Sequence, residues 1–203
     1  AQMTAGQLDE ETSSYLDVAK RGVDRLSRLI NDILSLSKLE SGVEVMPTEL
    51  RQINDIIRET AETQKLVAEQ KGLYLKTELA PDLPQAMLHA DKITQVLTNL
   101  LSNAIKFTKQ GGITVVSRLG REAGFLEVCV KDTGGGIAKA DIGKLFQKFR
   151  QLANSDSQVN GTGLGLAICK EVIARHRGSI WVESELNQGS SFIFTLPIVA
   201  KKG

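Results

Sequence analysis

With 203 residues, 41% of them hydrophobic and 24% charged, the chain can bury one full core and has a globular rather than disordered composition. A net charge of +1 gives no electrostatic bias toward nucleic acid or an anionic membrane surface. No apolar run approaches the roughly 18 residues that span a bilayer, no leader-like segment opens the sequence, and Cys129 and Cys169 lack metal-ligand spacing. These features lead us to expect a cytoplasmic setting, with any membrane contact made outside this sequence.

The pattern from Leu8 to Ser41 predicts one long helix. Leu16, Ala19, Val23, Leu26, Ile30 and Ile33 alternate steps of three and four, and Leu29 and Leu36 add a second stripe. An apolar arc that wide suits a four-helix bundle and cannot be buried by one helix alone. Asp9, Glu10 and Glu11 favour its start, and Gly42 stands where it would stop. From Val43 onward the expected elements are shorter. They are a strand at Val43–Met46, a helix from Leu50 to about Gln70 and an alternating strand over Leu73–Leu79. A short strand at Ala86–Ala90 follows, then a helix N-capped by Asp91 and running to about Phe107. Ile113–Leu119 and Phe125–Lys131 read as a hairpin, a helix ends near Arg175, and Ile180–Glu183 and Ser191–Leu196 read as closing strands. The fold class expected is α+β, a mixed sheet covered on one face by helices.

Three stretches carry candidate chemistry. Asp132-Thr133-Gly134-Gly135-Gly136-Ile137 follows the apolar strand Leu126–Val130, putting a carboxylate beside backbone that can approach a flat ligand; a simple turn is the plainer reading. Gly161-Thr162-Gly163-Leu164-Gly165 leads into an amphipathic helix, whose start offers free amides to phosphate. It is neither Walker A, since no Lys-Ser or Lys-Thr follows, nor a dinucleotide-binding turn, since the residues before it are polar. Asn99, Asn103 and Lys106 share one face of an otherwise apolar helix, where amide oxygens suit Mg²⁺; two solvent-facing amides are the alternative.

The order of these elements is more specific than any one of them. An Asn-x₃-Asn-x₂-Lys helix, an Asp-x-Gly-x-Gly turn, the pair Phe146 and Phe149, then Gly-x-Gly-x-Gly closely resemble the four boxes of histidine kinase ATP-binding domains, in the superfamily that includes gyrase B and MutL ATPases. Arg21–Gly42, ending Ser37-Lys38-Leu39-Glu40-Ser41-Gly42, also resembles the second helix of that family's dimerisation domain. The resemblance implies a partial dimerisation domain at 1–42 and a two-layer ATP-binding domain at 43–203, with ATP and Mg²⁺ as cofactors.

It further implies that Asp132 accepts from the adenine amino group, that Gly134, Gly136 and Ile137 let backbone meet the ring, and that Asn103 binds Mg²⁺. Asn99 would lie on the phosphate side, Lys106 within reach of phosphate and Phe107 near the nucleoside. Gly161, Thr162, Gly163, Leu164 and Gly165 would receive the phosphates, Ala138 to Asn160 would form a mobile lid docked by Phe146 and Phe149, and Thr195 would lie near the adenine. Arg150 or Gln151 would stand where the family's lid arginine meets the phosphates. Related ATPases place a water-activating glutamate where this chain has Asn99, and an amide cannot take a proton at neutral pH, which points to ATP held for transfer. The family's acceptor histidine has no counterpart: the two histidines, His89 and His176, read as structural or surface residues. The expected partners are a second copy, through the helical bundle, and a response regulator, with no nucleic acid. A regulatory pseudokinase and an ATP hydrolase of the gyrase B type are the competing functions.

Overall fold

The computed structural model describes residues 10–41, 46–150 and 162–199. Helix α1 runs over Glu10–Glu40, followed by β1 (Glu49–Arg51), α2 (Ile53–Gln70), β2 (Tyr74–Leu79), β3 (Ala86–Leu88) and α3 (Ala90–Phe107). Next are β4 (Gly112–Leu119), β5 (Phe125–Asp132), the single-turn α4 (Lys139–Ile142), α5 (Gly165–Arg175), β6 (Ile180–Ser184) and β7 (Ser190–Pro197). Five strands form one mixed sheet in the order β2-β4-β5-β7-β6, with β2 parallel to β4 and the other pairs antiparallel. β1 and β3 form a separate antiparallel pair, fastened to the main sheet by a bridge from Ala86 to Ile198.

Strand alternation and helical stripes make two layers. Ile113 and Val115 on β4, Leu126, Val128 and Val130 on β5, and Phe192, Phe194 and Leu196 on β7 are buried on one sheet face. Onto it pack the apolar stripes of α2 (Ile53, Ile56, Ile57), α3 (Val96, Leu97, Leu100, Leu101, Ala104) and α5 (Ile168, Val172, Ile173). Cys169 is fully buried there, its thiol pushed up to about 12 by desolvation, so it is a small core hydrophobe.

Helix α1 has two environments. Leu36 and Leu39 are buried in the same core, and the Arg175 guanidinium on α5 donates to the Leu39 carbonyl. Upstream, Leu16, Val23, Leu26, Ile30 and Ile33 are about half exposed, as a stripe awaiting a partner would be.

Several boundaries differ from expectation. The strand expected at 43–46 falls mostly outside the described residues, and the first strand lies at Glu49–Arg51, because Leu50 pairs with Met87 instead of opening a helix. α2 therefore starts at Ile53. Asp91 is not the cap of α3: His89 holds that position without a side-chain cap, and Asp91 lies in the first turn. Gly42 lies outside the described residues.

His176 is buried at the C-terminal end of α5, and both ring nitrogens are used. Nδ1 lies 2.8 Å from the Val172 carbonyl, to which it can only donate, so Nε2 is the acceptor for the His89 N–H at 3.0 Å. This neutral tautomer joins the end of α5 to the start of α3, so the positive charge that a helix C-terminus would favour is absent. Burial holds its pKa below the ordinary 6.5, a shift opposed by the Val172 bond and reinforced by His89. The unfolded chain then binds this proton more readily than the native one. The stability contributed is present above about pH 6.5 and is lost as pH falls through and below it. His176→Gln should cost about 1–2 kcal/mol at pH 7.5 and flatten the fall in Tm between pH 7.5 and 5.5; an unchanged pH dependence would contradict this assignment.

Candidate nucleotide site

At the end of β5, Asp132 is 4% exposed, yet its carboxylate is only half used. Oδ1 accepts from the Gly134 N–H at 2.8 Å and the Ser190 N–H at 3.3 Å, while no bond to Oδ2 occurs among the described residues. Burial raises its pKa above the ordinary carboxylate value, and the two backbone donors oppose the rise. The turn after it is pressed against its neighbours. A Cβ on Gly134 would stand 2.7 Å from the Phe107 carbonyl, and one on Gly136, at φ +67°, would overlap the Glu185 carbonyl at 1.9 Å. Only glycine fits Gly136 for both reasons.

The β6–β7 turn closes the same corner. Asp132, Ser190 and Ser184 are register partners across β5, β7 and β6. Ser184 Oγ accepts from the Ile137 N–H at 2.8 Å, and the Asn187 N–H donates to the Gly135 carbonyl at 2.7 Å. The glycine turn is thereby stitched to the hairpin.

Helix α3 links this corner to the second glycine turn. Asn99 and Phe107 lie about 12 Å apart along its axis. At the Phe107 end is the Asp132 turn; at the Asn99 end the side-chain Nδ2–H donates to the Gly165 carbonyl at 3.3 Å, where α5 begins. The N-cap residue of α5 is Leu164, whose side chain makes no cap bond, and this helix start carries the positive end of the dipole. Asn103 is half-buried between the two ends. Lys106 is half-buried with its pKa lowered, first by burial and then by the charges of Arg28 and Lys71. An anion placed there would favour the charged form and offset this lowering.

The other expected residues divide. Ile137 packs partly buried against the core, as does Phe146. Phe149 does not dock: it is 64% exposed at φ +59°, and its backbone passes over Gly163, whose Cβ would meet it at 2.9 Å. It borders an open groove with Ile33, Leu36 and Leu164, and the Leu164 side chain is itself core. Arg150 is exposed, whereas Gln151 and Gly161 lie outside the described residues. Thr162 Oγ1 donates to Asp32 Oδ2 of α1 at 2.6 Å and accepts from the Leu164 N–H at 3.2 Å.

Thr195 is not near the Asp132 corner. It pairs with Glu127, and its hydroxyl accepts from the Ser179 N–H, five residues along β7 from Ser190. The strand advances by about 3.4 Å per residue, so Ser190 has the position expected of Thr195. Ser190, Ser184 and Asp32 were all missed. Ser190 lies in the same Gly189–Thr195 run, but only the register of β7 on β5 distinguishes the two hydroxyls.

Residues 89–200 match the family described as histidine kinase-, DNA gyrase B- and HSP90-like ATPase. The chain belongs to this family. Residues 1–42 match the His Kinase A (phospho-acceptor) domain, and the two matches in this order are those of a sensor histidine kinase. The chain is 39% identical to Drug sensory protein A of Synechocystis, over 93% of this chain and 30% of that protein. With the adaptive-response sensory kinase SasA of a Synechococcus strain the values are 36%, 95% and 51%. The chain thus spans about half, or less, of the length of these curated relatives. Full-length ShkA, solved in complex with AMPPNP, superposes with a TM-score of 0.82 at 29% identity, over 98% of this chain and 41% of that one. ThkA in complex with the response regulator TrrA gives 0.75 at 25%, over 98% and 55%.

The family assignment makes Asp132 the residue to test. At neutral pH an ionised, buried carboxylate opposes folding, because its raised native pKa means that its stabilising contribution is lost as pH rises. Asp132→Asn keeps an acceptor for Gly134 and Ser190 while removing the charge. It should raise Tm of the ligand-free chain and weaken adenine-nucleotide binding by ~10–100-fold, read by thermal unfolding and calorimetry; a fall in Tm would contradict the burial argument.

Proposed function

We propose that this chain binds Mg²⁺–ATP along α3, with adenine at Asp132 and the phosphates at the start of α5, for transfer of the γ-phosphoryl group to a histidine on another helix. The observation that carries this is the half-used Asp132 carboxylate at the C-terminal end of α3 and the start of α5, tied to Asn99 in the middle of that helix, about two turns away. The ShkA complex with AMPPNP and the phospho-acceptor match at 1–42 support the reading. Residues 1–42 would then be dimerisation helix and loop, and 43–203 the nucleotide-binding domain.

The donor set fits magnesium. No group of three or more His, Cys, Asp or Glu residues poised for a metal occurs among the described residues, so the ion would lean on the Asn103 amide oxygen, water and phosphate oxygens. When bound it would neutralise charge on the phosphates. Asn99 favours transfer over hydrolysis on two grounds: its amide is no base, and its Nδ2–H donates to Gly165, which a glutamate could not do. In the transfer step the imidazole nitrogen forms a bond to the γ-phosphorus as the bond to the β,γ-bridging oxygen breaks, and ADP leaves.

The half-exposed stripe of α1 suits a second copy of the chain, and the ThkA–TrrA complex supports a response regulator as the partner that takes the phosphoryl group onward. No helix among the described residues is long and apolar enough to cross a membrane. We place the activity in the cytoplasm.

Calorimetric titration with AMPPNP and Mg²⁺ should give saturable binding. With [γ-³²P]ATP this chain alone should gain no acid-labile label, because residues 1–42 contain no histidine, and a supplied histidine-bearing dimerisation helix should become labelled. Failure of the folded chain to bind AMPPNP would overturn the proposal.

A further inference from the structure

The hydroxyls of Ser184 and Ser190 form a chain whose polarity can be worked out. Ser184 Oγ lies 2.7 Å from the Gly189 carbonyl, 2.8 Å from the Ile137 nitrogen and 3.1 Å from Ser190 Oγ. A serine hydroxyl has one proton and two lone pairs. The Gly189 carbonyl can only accept, so it takes the Ser184 proton; the Ile137 N–H can only donate, so it takes one lone pair. The remaining lone pair faces Ser190, which must therefore donate. Ser184 is then saturated, and the proton of Ser190 points away from Asp132. What Ser190 presents on the Asp132 side is lone-pair density.

The side chains of this corner thus offer acceptors only. Asp132 Oδ1 is occupied by two backbone donors, Oδ2 is an ionised acceptor, and Ser190 Oγ is an acceptor beside it in the same cross-strand row. A base edge bearing an amino group supplies donors to such a surface. One bearing a carbonyl at that place sets oxygen against oxygen there, and its single N1–H can satisfy only one of the two acceptors.

We propose that Ser184, without touching the nucleotide, is a specificity-determining residue that sets the direction of the Ser190 hydroxyl and so selects a 6-amino over a 6-oxo purine. This rests on the placement of adenine at Asp132 under Proposed function. Without the Ser184 lone pair, Ser190 can turn its proton toward the ligand and meet a carbonyl. Ser184→Thr retains the hydroxyl and the selection.

The test is calorimetry with ADP and IDP, which share sugar and phosphates and differ in the 6-substituent and in the N1 proton that goes with it, in the presence of Mg²⁺. Wild type should prefer ADP. Ser184→Ala should narrow that preference by ~10-fold or more, mainly by gaining affinity for IDP, and Ser184→Thr should restore it. A merely structural role would weaken both ligands alike. Ser190→Ala leaves the Ile137–Ser184–Gly189 links in place and should also narrow the ratio, so the proposal is testable should Ser184→Ala fail to fold. An unchanged ADP-to-IDP ratio in Ser190→Ala, or in a folded Ser184→Ala, would overturn the role of Ser184 and leave the adenine site standing. Binding of neither nucleotide by wild type would overturn both.

Discussion

The structure is organised around one buried carboxylate. A charge at the end of a central strand opposes folding unless donors converge on it. Here the donors are backbone amides from the following turn and from β7, and they meet one oxygen. Fixing Gly134 and Ser190 to the same atom forces the glycine turn and the β6–β7 hairpin together. That closeness is why Gly136 and Gly189 have no room for a Cβ: on Gly189 it would meet the Asp132 carbonyl at 2.0 Å. The second oxygen keeps its capacity for a ligand donor, so the arrangement trades stability for a binding group.

Helix α3 carries this constraint across the domain. Its apolar stripe anchors it in the core, its C-terminal end backs the Asp132 turn, and Asn99 fastens its middle to α5. His176 closes the loop by joining the start of α3 to the end of α5. The two glycine turns are therefore held at a separation set by a rigid helix, not by the loop between them. Helix α1 adds a further attachment through Leu36, Leu39 and the Asp32–Thr162 bond, while its upstream stripe stays open.

Much of this was legible in the residues. Alternation located the sheet, the apolar stripe located α3 to its last residue, and the order of the Asn, Asp and Gly motifs identified the family. The β1 region was misread because Leu50 is apolar in a window where helix and strand patterns coincide, and pairing with Met87 decides it. Thr195 was named and Ser190 missed because sequence gives strand identity but not register between strands far apart in the chain. The resemblance implied docking by both Phe146 and Phe149, but Phe149 is 64% exposed, on backbone at φ +59°. The Asp32–Thr162 and Ser184–Ile137 bonds join residues 130 and 47 positions apart, and no local pattern announces such contacts.

The most direct measurement is a crystal structure of this chain with AMPPNP and Mg²⁺, read at one distance. The account predicts the adenine amino nitrogen within about 2.7–3.2 Å of Asp132 Oδ2, with Oδ1 still held by Gly134 and Ser190. A nucleotide bound elsewhere, or an Asp132 side chain turned away from the base, would contradict it.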